Sequence, residues 1–185
     1  MQSSLDQSLL EALYAGRLSA PWVDLIIAVT FLGSGWMMLG LLPALFMRPW
    51  RAPAAICVVM LVVVSGVVAS VKAIAGRVRP CQAHTWAHAL SFSLPTDCSF
   101  PSGHAAGSLA FATFVMTLNR RAGMILLPIA MLIGLSRVAL GVHYPSDVLA
   151  GAVLGAAIGW AAARFGASRC NTWETRSPVV SAERA

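Results

Sequence analysis

Charge is what this 185-residue chain has least of. Charged side chains make up 11% of it, against roughly 25% in soluble domains, while hydrophobic residues reach 58%. That is a membrane composition, and the length fits one domain. Lysine occurs once, as Lys72. The net charge of +6 comes without any Lys/Arg run or basic–aromatic interleaving, which excludes a nucleic-acid surface. The basic residues flank apolar stretches instead, where they set topology. Residues 1–20 lack a basic start and an unbroken apolar stretch, and carry Asp6 and Glu11. They do not read as a signal peptide, so insertion falls to the internal spans. No long internal repeat is present.

Ser4 to Gly16 sets Leu5, Leu9, Leu13 and, off by one, Leu10 and Ala12 on one helical face, with Asp6, Gln7 and Glu11 pointing elsewhere. This pattern predicts a short amphipathic helix lying at the interface. Apolar runs follow over about 22–47, 52–75, 101–118, 122–140 and 145–165, each near the ~20 residues that cross a hydrocarbon core. The expected fold is an all-α membrane protein: a bundle of about five transmembrane helices plus the interfacial helix, with six spans as the alternative. Trp22 and Trp50 are candidate belt residues, and 166–185 reads as a loose polar tail. Arg48 and Arg51, Arg120 and Arg121, and Arg164 and Arg169 follow the first, third and fifth spans. The positive-inside rule then places these ends, with the C-terminus, in the cytoplasm of a multi-pass inner-membrane protein. Gly151, Gly155 and Gly159 form a small-residue stripe for close packing, within the bundle or between protomers. Oligomeric state is not encoded.

Three polar clusters interrupt the apolar pattern, and all fall on the outer side in this topology. Charge beside a span is costly unless it has a task. In the first cluster Lys72 lies near the end of the second span, with Arg79 and Pro80 beyond it. Pro80 disfavours helix at Arg79, so the helix is expected to loosen and let Arg79 reach inward from a loop. Arg77, outside this spacing, reads as interfacial. In the second, Pro101 suits the first turn of a helix. The N–H groups of Ser102, Gly103 and His104 then face an anion, which Gly103 lets approach closely. His104 can give a proton to a leaving oxygen. In the third, Ser136 and Arg137 precede His143 and Asp147. The Asp147 carboxylate can turn back to one imidazole nitrogen, leaving the other free as a nucleophile. Lys72, Arg79 and Arg137 together can neutralise a phosphoryl group.

Taken together, Lys72-x6-Arg79-Pro80, Pro101 through His104, and Ser136-Arg137-x5-His143-x3-Asp147 resemble the signature of the type 2 phosphatidic acid phosphatase superfamily. That superfamily includes lipid phosphate phosphatases, glucose-6-phosphatase and vanadium haloperoxidases. The resemblance implies that His143 is the nucleophile, Asp147 its partner, and His104 the acid and then the base. It implies that Lys72, Arg79, Ser102, Gly103 and Arg137 hold the phosphate, with no metal or other cofactor. Members usually have six spans.

Between the first two clusters, Cys81 and Cys98 fall on the oxidising side. A disulfide would close an 18-residue loop and add about 3 kcal/mol in the chain-entropy model. His84 and His88 match no standard zinc spacing with them. Trp86 and Phe92 are candidates to touch a lipid or to serve as belt residues. The resemblance implies a lipid phosphate or diphosphate as substrate, best undecaprenyl diphosphate or another isoprenoid phosphate. Phosphatidylglycerophosphate and lipid A 1-phosphate are alternatives, and membrane lipids are the other expected partners. A phosphotransferase, or an anion transporter without chemistry, would use the same cations.

Overall fold

The computed structural model describes residues 4–34, 40, 42–47, 50–90 and 95–174. Parts of the first expected span, Arg48, Phe92 and the tail from 175 lie outside these residues, as do the side chains of Arg169 and Cys170. Among the described residues the protein is helical, with no strand. In chain order the helices are α1 (Ser4–Leu13), α2 (Ala20–Leu32), α3 (Arg51–Ala75), α4 (Pro80–Ala83), α5 (Gly103–Leu118), α6 (Arg120–Ala139) and α7 (Pro145–Glu174). It is a helical membrane protein. Three segments among the described residues are long and apolar enough to cross a bilayer: Arg51–Ala83, α6, and α7 as far as Gly166. The mean hydropathy of the first reaches 2.8 with only a third of it buried. Val59, Val62, Val63 and Ile74 face outward there, as lipid-facing positions should.

The C-terminal helix departs from expectation, because α7 continues past Phe165 to Glu174. With no Gly or Pro between 167 and 174, nothing in the sequence stops it.

α5 is the hub, packed on α3, α6 and α7. Cys57, Met60, Leu61, Val64 and Val68 of α3 meet Ala106, Ala110 and Phe114 of α5 in the largest buried cluster. The glycine stripe of α7 explains the close approach to α5. A Cβ on Gly151, Gly155 or Gly159 would lie 2.4, 2.0 and 2.3 Å from the carbonyl oxygens of Ser102, Ala106 and Ala110. Both series advance by four residues, so one face of α7 lies directly on the α5 backbone. This is packing inside one chain.

The amphipathic helix turns most of its leucine stripe outward, as an interfacial helix does, but it buries Leu10 and its acid against the protein. Leu5 is 68% exposed, and Leu9 and Leu13 are exposed too, whereas Asp6 and Leu10 are buried. α1 with the turn after it makes a 118° bend with α2, and it packs on α6 and α7. Its leucine stripe faces outward, and its acid faces the protein. In lipid that is the favourable arrangement: Asp6 finds a cation inside while the leucines remain in an apolar surrounding.

Candidate active site

Each cluster is delivered by a local device. α3 ends in a left-handed cap at Gly76 (φ 58°), whose N–H donates to the Lys72 carbonyl at 3.1 Å. Lys72 therefore stays in the last turn while the chain leaves the helix axis. Arg79 then takes an extended conformation as the N-cap of α4, with Pro80 in the first turn. The second cluster differs from expectation by two residues. The helix starts at Gly103, not Pro101, and Ser102 is its N-cap, with a hydroxyl oxygen that accepts the Ala105 N–H at 3.5 Å. Its own O–H remains available as a donor. In the third cluster the Arg137 carbonyl accepts the N–H groups of both Val142 and His143, at 3.2 and 3.3 Å. That tight turn folds His143 back over the end of α6. Asp147 Oδ2 accepts the Tyr144 N–H at 2.9 Å, which caps the start of α7.

These devices bring the clusters together at one end of the bundle. The Ser102 N–H donates to the Asp147 carbonyl at 3.0 Å. Arg79 Nη1 donates to His143 Nε2 at 3.1 Å and to the Val142 carbonyl at 2.7 Å. A guanidinium can only donate, so Nε2 carries the lone pair and the proton sits on Nδ1. Nδ1 faces Asp147 Oδ2 at 3.6 Å, an ion-pair distance longer than a hydrogen bond. Burial, before any charge effect, pushes the His143 imidazole down to about 4, and the Arg79 and Arg137 cations act in the same direction. It is neutral at physiological pH.

His104 lies within electrostatic range of Arg137, His143, Arg79 and Lys72. Arg137 is buried; its Nη1 donates to Thr30 Oγ1 of α2 at 2.9 Å, and its Nε has no partner among the described residues. An unsatisfied buried guanidinium N–H is costly, and an anion is the natural partner for it. Gly103 sits where a Cβ would meet only Val68, at an ordinary 3.6 Å. Packing within the protein does not demand glycine there.

Asp97 is the group that sequence reasoning passed over. Its carboxylate spans both cations of the first cluster, with Oδ2 at 2.8 Å from Lys72 Nζ and Oδ1 at 2.6 Å from Arg79 Nη2. Against the opposing effect of burial, which is the larger single influence, these cations lower its pKa to about 2.

Two residues read as peripheral belong to the site. Arg77 is not an interfacial charge: its Nη1 is 2.5 Å from Asp147 Oδ1, its Nη2 is 2.7 Å from Asp6 Oδ2, and it stacks on Tyr144. Asp6 also accepts the Ser146 N–H at 3.0 Å. Asp147, fully buried, thus faces Arg77, Ser99 and His143 at once. The disulfide expected between Cys81 and Cys98 is not formed; both are free thiols. Each is committed elsewhere through its backbone: Cys81 N–H to the Gly141 carbonyl, and the Cys98 carbonyl to Lys72. His84 contacts Tyr144 and Trp86, and Trp86 packs edge-on against Tyr14.

The model of the family described as the PAP2 superfamily matches residues 53–169. A decaprenylphosphoryl-5-phosphoribose phosphatase of Mycobacterium tuberculosis is 35% identical over 127 residues, covering 68% of each chain. The undecaprenyl-diphosphatase BcrC of Bacillus subtilis is 41% identical over 87 residues, 47% of this chain and 44% of the relative. The crystal structure of Aquifex aeolicus LpxE superposes with a TM-score of 0.77 at 26% identity, covering 88% of this chain and 97% of that one.

Proposed function

The chain belongs to the PAP2 superfamily, and from that premise we propose that it hydrolyses an isoprenoid phosphate or diphosphate, best undecaprenyl diphosphate, through a phosphohistidine. His143 Nε2 attacks phosphorus, the bond from phosphorus to the leaving oxygen breaks, and His104 gives that oxygen its proton. Asp147 balances the positive charge that grows on the imidazole. Water then attacks the phosphohistidine, His104 takes the water's proton, and inorganic phosphate leaves with His143 restored. Lys72, Arg79, Ser102, Gly103 and Arg137 hold the phosphoryl oxygens, and their positive charge does the work a metal would otherwise do.

The observation that carries this reading is the placement of His143: a neutral imidazole whose Nε2 lies 3.1 Å from Arg79, within electrostatic range of a buried Arg137 whose Nε has no partner among the described residues. A phosphoryl group held by those guanidiniums would sit against Nε2.

The lipid class rests on depth and on the relatives. α5 has 16 residues and is about 24 Å long, shorter than a ~30 Å hydrocarbon core. Its N-terminus, where the site lies, starts inside the apolar layer when its other end reaches the opposite boundary. That favours a substrate whose tail remains in lipid. The two curated relatives described above carry polyprenyl substrates in their names. We place the site on the extracytoplasmic face, because the arginines flanking the other ends mark those as cytoplasmic.

Purified protein given undecaprenyl diphosphate, phosphatidylglycerophosphate and lipid A is expected to release inorganic phosphate fastest from the first, with EDTA present throughout. His143→Ala should abolish release with the fold retained. A quench of His104→Ala with labelled substrate should leave acid-labile, base-stable phosphate on His143. Turnover surviving in His143→Ala would remove the covalent mechanism.

A further inference from the structure

Two of the three cations assigned to substrate, Lys72 and Arg79, are already largely occupied. An ammonium has three N–H donors and a guanidinium five. Lys72 uses two, on Asp97 Oδ2 and the Cys98 carbonyl. Arg79 uses four: Nε to the Asp97 carbonyl, Nη2 to Asp97 Oδ1, and Nη1 to Val142 and His143. One N–H on each is left for a ligand. A phosphoryl group presents three oxygens to this pair, so it cannot be held fully while the Asp97 carboxylate remains in place.

The exposure pattern says which partner moves. The Lys72 side chain is 12% exposed and that of Arg79 4%, whereas the Asp97 side chain is 58% exposed. Asp97 lies in the irregular 95–102 connection before α5, while Lys72 is fixed in a helix and Arg79 caps another. A carboxylate with that much solvent access can rotate into water at small desolvation cost, and the two cations cannot.

We propose that Asp97 is a specificity-determining residue: its carboxylate holds the phosphate position on Lys72 and Arg79 in the free protein, and a ligand enters by displacing it. This rests on the phosphatase reading above and deepens it. A carboxylate carries one negative charge. A terminal phosphate carries up to two at neutral pH and exchanges favourably for it, whereas a phosphodiester carries one and gains nothing. The site therefore selects phosphate monoesters and terminal phosphates of diphosphates over the diester linkages of ordinary phospholipids. The same competition returns Asp97 to the cations after hydrolysis and helps expel inorganic phosphate. No covalent step is involved.

The test uses full-length protein in detergent with inorganic phosphate and dimethyl phosphate as competitive inhibitors of turnover. Asp97→Asn is expected to lower the inhibition constant of inorganic phosphate by about tenfold, the lower range for losing one close charge pair. It should also bring dimethyl phosphate into the inhibitory range, and Asp97→Glu should resemble wild type. Unchanged or weaker phosphate inhibition in Asp97→Asn would overturn the proposal, because a structural clamp behaves that way. Should Asp97→Asn not fold, the wild type decides. Infrared difference spectra on phosphate addition should show a carboxylate leaving two cations for water, and no carboxylate band overturns the proposal. The two readings fail separately. Hydrolysis by wild type with no effect of Asp97→Asn sinks only the displacement, while a wild type that neither binds phosphate nor hydrolyses sinks both.

Discussion

Gly103 and His143 carry the most direct predictions at the scale of single residues. A Cβ at position 103 meets only Val68 at 3.6 Å, and alanine is the better helix former by about 1 kcal/mol in a helix interior. Gly103→Ala should therefore leave the melting temperature unchanged or slightly raised. Its methyl would occupy the space of an approaching phosphate, so turnover should fall by about a hundredfold, the loss expected of a slightly misplaced substrate. Equal losses in stability and activity would show that the glycine serves packing. His143 supplies the pH dependence. Its folded pKa is about 4, below the ~6.5 of a free imidazole. Between those values the unfolded chain binds a proton that the folded one refuses, so stability must fall as pH drops from about 6.5 toward 4. Melting curves across that window should show the slope, and His143→Gln should flatten part of it. Above pH 6.5 the variant should have no such effect.

Among the helices, α7 and α1 position the site and fail in different ways. Gly155→Ala puts a methyl carbon 2.0 Å from the Ala106 carbonyl oxygen, a backbone atom that cannot rotate aside. α5 and α7 must separate, at a cost of about 3 kcal/mol, and the Ser102–Asp147 backbone bond between them should weaken with activity. Gly107→Ala, which meets nothing within 4 Å, is the control and should be neutral in thermal unfolding. α1 is held by Asp6 on Arg77 and Ser146. Removing the cation by Arg77→Met leaves buried Asp147 without the guanidinium 2.5 Å from it, at a cost of about 3 kcal/mol. With Asp6→Asn added, the double variant should lose less than the sum of the singles, because they break one shared network. Strict additivity in a thermal double-mutant cycle would mean α1 is not coupled to Asp147. These elements also mark what the sequence disclosed. Helical fold class and family were legible, because long apolar runs and three chemistry-bearing clusters stand out from an apolar background. The burial of Asp6 and Leu10 on α1 was not: periodicity defines two faces of a helix but not which residues pack on the protein. Arg77 was illegible for a related reason. It sits outside the Lys72–Arg79 spacing, and its partners at 6 and 147 are brought to it only by the fold. Asp97 looked like a loop residue until Lys72 and Arg79 were placed on either side of it, and the Cys81–Cys98 spacing carried no information about how those backbones are engaged.

At the scale of the whole molecule, the charge distribution has two ends with opposite roles. Lys72, Arg77 and Arg79 pair with Asp6, Asp97 and Asp147 at one end, with Arg137 within electrostatic range of Asp97. Their positive charge is largely neutralised within the protein, so they exert little of the pull that retains loop arginines in the cytoplasm. Arg51, Arg120 and Arg121 lie exposed, at the ends of spans away from that cluster. On the proposed orientation those exposed charges mark the cytoplasmic ends, and the paired ones add little against it. The expectation is that Thr96→Cys, an exposed position beside Asp97, reacts in intact cells with a membrane-impermeant maleimide when the native cysteines are replaced. A fluorescent protein fused after Ala185 should fold and fluoresce, as it does only in the cytoplasm. Replacing Arg51, Arg120 and Arg121 together with glutamine should produce a mixed population in which some Thr96→Cys becomes unreactive until the cells are opened. If labelling of Thr96→Cys required opened cells in the unaltered background, the site would face the cytoplasm, and the hydrolysed phosphate would have to be one displayed on the inner leaflet.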